Sequence, residues 1–168
     1  MNKMQDIRIE KVTLNIGVGE AGEKLDKACK ILERISKRKV VKTKTNKRIP
    51  SWNVRPGLLI GCKTTLRGKD AIELLKRLLS ANENKLKQSN VDKCGNVSFG
   101  IKEYIDIPDE EYDPSIGLVG LNVCVTLERP GYSVKKRKIR THKLGARHII
   151  KQEDAIKFMQ ENFGVKIE

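Results

Sequence analysis

Aromatic residues make up 4% of this 168-residue chain: one Trp, three Tyr and three Phe. That scarcity argues against a surface that works by stacking rings across a sheet, because Phe99 and Tyr104 are its only strand-borne candidates. Histidine is scarcer still. His142 and His148 lie in one basic segment, with no Cys, Ser or carboxylate at a recognisable spacing, so no catalytic base is expected and the chain does not read as an enzyme. Cys29, Cys62, Cys94 and Cys124 include no close pair, which removes a zinc knuckle and a redox CxxC; all four are expected to be small buried hydrophobes. No apolar run approaches the roughly 20 residues of a spanning helix, and "MNKMQDIRIE" has no signal-like apolar region. A cytoplasmic protein with no membrane partner is expected.

Acid is missing in two places. Residues 34–69 contain twelve Lys or Arg and no Asp or Glu, and residues 129–152 contain nine more and again no acid. The chain totals 35 basic and 21 acidic residues, a formal +14, so these tracts leave the remainder mildly acidic. A surface made only for solubility mixes its signs; two acid-free tracts are the footprint of a polyanion. The first tract contains "TKTNKRIPSWNVRPG", with four basic side chains, two prolines and the only tryptophan, too interrupted to be regular packed structure.

Hydrophobic periodicity supplies the fold. "VTLNIGV" puts Val12, Leu14 and Ile16 on one side of a strand, and Ile7 and Ile9 fall out of phase, which implies a bulge. "KLDKACKILERISK" makes a helical stripe of Leu25, Ala28, Leu32 and Ile35. "KVVKTK" and "GLLIGCKTTL" read as strands, and "AIELLKRLLS" as a helix capped by Asp70 with Ile72, Leu75 and Leu79 on one face. "NVSFGIKEYI" and "LVGLNVCVTL" are two further strands, the second apolar enough for the middle of a sheet, and "QEDAIKFMQENF" closes with a short helix. The expectation is one α+β domain over residues 1–168: a mostly antiparallel five-stranded sheet, helices packed on one face, a protruding basic loop at 47–56 and a basic C-terminal arm at 129–151.

"GVGEAG" matches GxGxxG between a strand and a helix, so an NADP-type nucleotide-binding enzyme using Gly17, Gly19 and Gly22 is the alternative reading. Against it stand Lys42 where an acidic ribose ligand belongs, Glu20 beside the would-be pyrophosphate, and no alternating βαβ series. No cofactor is expected. The acidic cluster around "IPDEEYDP" lacks calcium-loop spacing and reads as a solvated loop turned away from the polyanion. With no helix-turn-helix, zinc-finger or basic-zipper grammar, the remaining mode is phosphate and ribose contact from loops and strand ends, which reads the shape of a folded RNA. Trp52 either stacks on a base or tucks against its own loop.

"LNIGVGEA", "TKTNKRI", "VRPGLLIGCKTTLRG", "GNVSFGIKEYIDIP" and "YDPSIGLVGLNVCVTLERPG" together resemble the ribosomal protein L-five family, in its archaeal and eukaryotic form, across essentially the whole chain. The resemblance implies a structural protein of the large subunit's central protuberance. Its partners would be 5S rRNA, adjacent 23S-type rRNA, P-site tRNA and neighbouring ribosomal proteins. It places Asn15, Gly17, Thr43, Lys44 and Asn46 against 5S rRNA, and the loop bearing Lys47, Arg48, Trp52 and Arg55, as a flexible finger, near the tRNA. Arg67 and the arm residues Lys135, Lys136, Arg137, Lys138 and Arg140 would be further phosphate contacts. Family members often carry an Arg-Asp pair and an aromatic before the "GN" turn; "LKQSNVDKCGN" has neither, so no rRNA contact is carried over to that loop.

Overall fold

The computed structural model describes residues 2–167. Strand β1 (Arg8–Gly17) leads through a glycine turn into helix α1 (Glu23–Ser36), which ends at Lys37 in the left-handed conformation, its amide donating to Glu33 O. Strands β2 (Val41–Lys44) and β3 (Leu59–Leu66) form a hairpin, and helix α2 (Lys69–Ala81) follows. After β4 (Lys85–Leu86), β5 (Val97–Ile101) and β6 (Leu121–Glu128) comes the arm, with a single helical turn α3 (Ser133–Lys136), then α4 (Gln152–Phe163) and β7 (Lys166–Ile167).

The main sheet has the order β2-β3-β1-β6-β5, and every neighbouring pair is antiparallel. One face carries Val12, Leu14, Ile16, Cys62, Leu66, Val97, Phe99, Val123 and Val125, all buried beneath the helices. The α+β architecture expected from the sequence is therefore the observed one. Both long helices start after a positive-φ glycine, Gly22 and Gly68, with no side-chain cap. Asp70 does not cap α2; its carboxylate instead binds Arg38 beyond the end of α1. The buried stripe of α2 is Ala71, Leu74, Leu75, Leu78 and Leu79, a slight rotation from the expected one that leaves Ile72 at 40% exposure.

Three other expectations are corrected. The central strand is β1, and β6 alternates buried and exposed residues because only one of its faces is covered. A small parallel pair, β4 with β7, ties the chain's end to the segment after α2. Cys29 and Cys62 are buried as expected, but Cys94 and Cys124 are exposed, the latter because it alternates onto the uncovered face. The expected break in β1 is present: the β1–β6 register shifts between Ile9 and Lys11, leaving Glu10 as the extra residue. Among the described residues no helix is long and apolar enough to cross a membrane.

Candidate nucleic-acid interface

Alternation along β1 sends Thr13, Asn15 and Gly17 to the face that no helix covers. The ladder aligns them with their neighbours in rows. Lys63, Asn15, Asn122 and Gly100 form one row across four strands; Thr65, Thr13, Cys124 and Ser98 form the next; Thr43, Gly61 and Gly17 form a third. The rows hold amides, hydroxyls, glycines and one lysine, with no carboxylate and no aromatic. Phe99 and Tyr104 point into the core at 6% and 1% exposure, so ring stacking on this sheet is unavailable. A flat polar face of this kind suits ribose hydroxyls and phosphate oxygens. Of the residues expected to bind rRNA, it brings together Asn15, Gly17 and Thr43. It adds Thr13, Lys63, Thr65, Ser98, Gly100 and Asn122, which parity along the strands could have identified.

The 47–56 segment is better ordered than its prolines suggest. Thr45 N donates to Leu58 O and Gly57 N to Thr45 O, which extends the β2–β3 hairpin past Lys44. Ile49 and Val54 then bridge, closing on a 3-10 turn from Pro50 to Trp52, with Asn53 in the left-handed region at φ 52°. Val54 is 3% exposed. The loop is thus an internally bonded hairpin tip and not the flexible finger expected. Lys44, Asn46, Lys47, Arg48 and Arg55 line it, all exposed. Trp52 is 72% exposed, which excludes the tucked alternative.

The arm is folded onto the far end of the sheet. Tyr132 is buried, donating to His148 O at 3.2 Å and accepting from Ile150 N at 3.0 Å, and Lys135 Nζ lies 4.6 Å from the Tyr132 ring centroid. His148 is spent on Pro130 O at 2.8 Å, and Arg129 is held by Asp154 at 3.0 Å, so neither is a free phosphate ligand. Beyond α3 the chain turns back, with Arg137 Nε donating to Arg140 O at 2.8 Å and Lys138 and Arg140 exposed.

Two of the expected phosphate ligands share an internal partner that the sequence reading did not consider. Lys136 Nζ lies 2.6 Å from Glu10 Oε2 and 3.2 Å from Glu128 Oε2, and Arg67 Nη1 lies 3.3 Å from Glu10 Oε1. Burial raises the Glu10 pKa, but the hydrogen bond and charge of Lys136, together with Lys11 and Arg67, outweigh it and hold the carboxyl below the usual range. Nothing in a single Glu preceding an apolar strand marks it for this role.

The acidic segment is not simply solvated. The Glu110 side chain is 4% exposed and lies 3.0 Å from Arg34 of α1 and 3.4 Å from Arg77 of α2, while Arg77 Nη2 also donates to Pro108 O at 2.9 Å. It clamps the two helices on the covered side of the sheet, which leaves the open face without it.

The glycine turn does not build a dinucleotide site. β1 is antiparallel to both neighbours, and the Val18 and Gly19 amides both donate to Ile60 O at 2.9 Å, so they are unavailable to a pyrophosphate. Lys42, which a 2′-phosphate would need, lies 2.6 Å from Asp26.

Fold and site define a class: an α+β scaffold that covers one sheet face with helices and presents the other, acid-free and fringed by lysine and arginine, to a polyanion. Comparison with known proteins narrows the class. Residues 2–55 match the family described as ribosomal protein L5, and residues 59–158 match the description of that ribosomal family's C-terminus. The chain is 54% identical to the large ribosomal subunit protein uL5 of Nanoarchaeum equitans over 165 residues, covering 98% of this chain and 97% of that one. It is 48% identical to uL5 of Sulfolobus acidocaldarius over 166 residues (99% and 93%), and 46% identical to uL5 of Methanosphaera stadtmanae over 168 residues (100% of both). The chain belongs to the ribosomal protein L5 family, whose members are ribosomal proteins and not enzymes.

Proposed function

We propose that this protein is a structural constituent of the large ribosomal subunit that holds 5S rRNA against adjacent 23S-type rRNA in the central protuberance. Its open sheet face and arm contact RNA backbone, and the 47–56 hairpin reaches the P-site tRNA. The observation that carries the reading is the uncovered face: rows of Asn, Thr, Ser and Gly in register across four strands, bordered by both acid-free tracts. A folded RNA can lie flat there with its phosphates over Lys44, Lys63 and the arm, while Asn15 and Asn122 address ribose or base edges in its shallow groove.

The test is binding of the purified protein to 5S rRNA and to a length-matched unrelated structured RNA over a salt series. A preference for 5S rRNA of about a hundredfold that survives rising salt supports a shaped site, because generic phosphate attraction falls with salt for both RNAs alike. Equal affinities that vanish together would reduce the surface to a generic polyanion binder.

A further inference from the structure

The two acid-free tracts are far apart in the sequence, yet they meet in space at one carboxylate. Glu10 lies at the β1 bulge, where the extra residue turns its side chain into the protein: that side chain is 6% exposed. Its two oxygens are divided. Oε1 is 3.3 Å from Arg67, at the end of β3 in the first tract, and Oε2 is 2.6 Å from Lys136, in α3 of the second. Lys136 is held a second time by Glu128, 3.2 Å away, which is itself 2.8 Å from Arg8. Lys11 completes the cluster at 4.0 Å.

Helix α3 is only four residues long and contains no fully buried side chain. A single turn has no intrinsic stability in water, so its place on the sheet depends on what anchors it. At one end Tyr132 supplies an anchor; at the other the ionic anchor is Lys136 on Glu10 and Glu128. Between them they aim Arg137, Lys138 and Arg140 past the sheet's edge.

From this geometry we propose that Glu10 is the positioning residue of the RNA-facing surface: it docks the basic arm onto the sheet through Lys136, holds Arg67 beside it, and so joins the two tracts into one surface of fixed shape. The proposal rests on the RNA-binding reading for its purpose but not for the docking itself. Lys136 then acts mainly through Glu10 and not as a phosphate ligand, and Glu10, though anionic at an RNA-binding surface, favours the correct RNA by fixing where the arm's charges lie.

The experiment uses the full chain in two arms. Without RNA, trypsin cleavage after Arg137, Lys138, Arg140 and Lys143 is timed for the wild type, Glu10→Gln, Lys136→Met, Lys136→Arg and the Glu10→Gln/Lys136→Met double variant, with the melting temperature measured alongside. The expected result is about tenfold faster cleavage of the arm in each of the two neutralising single variants, no further gain in the double variant, and protection retained by Lys136→Arg. Should Glu10→Gln fail to fold, Lys136→Met decides the outcome, since Lys136 is at the surface. With RNA, Glu10→Gln should lose about tenfold of its preference for 5S rRNA over the unrelated RNA. Unchanged arm cleavage in Lys136→Met, or a Glu10→Gln protein that binds both RNAs more tightly by the same factor, would overturn the proposal and leave Glu10 as a mere charge offset. A wild type without 5S preference would sink the functional reading instead, and the trypsin arm would still decide the docking.

Discussion

Gly17 and Gly61 stand opposite each other in the β1–β3 ladder, and they are glycine for different reasons. A Cβ on Gly61 would lie 2.9 Å from Ile16 O and 3.0 Å from Thr43 Oγ1, so the fold itself requires the bare backbone there. A Cβ on Gly17 would meet nothing within 4 Å, and its φ is not in the left-handed region, so the fold makes no such demand. Gly61→Ala is expected to destabilise the protein by about 1–3 kcal/mol, through strain between β1 and β2. Gly17→Ala should melt within about 1 °C of the wild type but bind 5S rRNA several-fold more weakly, because its methyl group occupies the space where an RNA backbone would approach. Thermal melts and binding titrations on both variants check the contrast; a Gly17→Ala protein with full affinity would remove that end of β1 from the interface.

The Glu10–Lys136 pair has a definite pH window. The folded Glu10 pKa is lowered, so its contribution to stability is complete above the unfolded glutamate value of about 4.3 and is lost as pH falls through the lower folded value. Burial lowers the Lys136 pKa, but its bonds to Glu10 and Glu128 outweigh that and raise it. Its contribution is therefore complete below the unfolded lysine value of about 10.4 and is lost as pH rises through the folded one. With Lys11, Arg67 and Arg8 the other charges in the cluster, arm docking should be flat with pH across the neutral range, weakening only below about pH 4 and above about pH 10. Hydrogen exchange of the arm amides against pH measures this, and Glu10→Gln should abolish the acid limb.

The architecture was legible in the sequence because one-sided burial imposes period two on the strands and a narrow stripe on α1 and α2, and Val12, Leu14, Leu25 and Leu32 obey those periods. The same rule made the open face readable, since whatever alternates with Val12, Leu14 and Ile16 must point away from the helices. Glu10 was not legible. Its role depends on a bulge that turns it inward and on a lysine from the other tract, and neither is a local property. Cys124 was misjudged because residue type was weighed above strand parity, and Glu110 because its arginines come from two different helices.

Cysteine reactivity therefore tests the face directly. Cys94 and Cys124 are exposed, whereas Cys29 is buried and Cys62 is fully buried, with burial foremost and neighbouring Cys29 second in pushing the Cys62 thiol up to about 12. Two thiols should react quickly with an aromatic disulfide reagent at neutral pH and two only on unfolding. Cys124 sits in the row with Thr13 and Thr65, so saturating 5S rRNA should slow its modification at least tenfold. Peptide mapping assigns the sites, and a Cys124 that reacts at the same rate with and without RNA would place the RNA elsewhere on the protein.

The hairpin tip separates the two RNA partners. Its order is local: the Ile49–Val54 bridge, the turn through Trp52 and the Thr45–Leu58 bond are contacts within the segment, and none anchors an element of the sheet core. Replacing residues 49–54 with an Asn-Gly turn should therefore leave β2 and β3 paired and 5S rRNA affinity within about twofold, since Thr43, Lys44 and Lys63 remain. Trp52, at 72% exposure, presents a ring that can stack on one exposed base, an interaction worth about 1–3 kcal/mol where it forms. Large subunits reconstituted with the shortened protein should retain 5S rRNA and hold P-site tRNA less firmly, read as faster tRNA dissociation; Trp52→Ala should reproduce part of the loss. A tenfold drop in 5S rRNA affinity on shortening would mean that the tip binds 5S rRNA itself, because a change confined to residues beyond the sheet has no other route to that affinity.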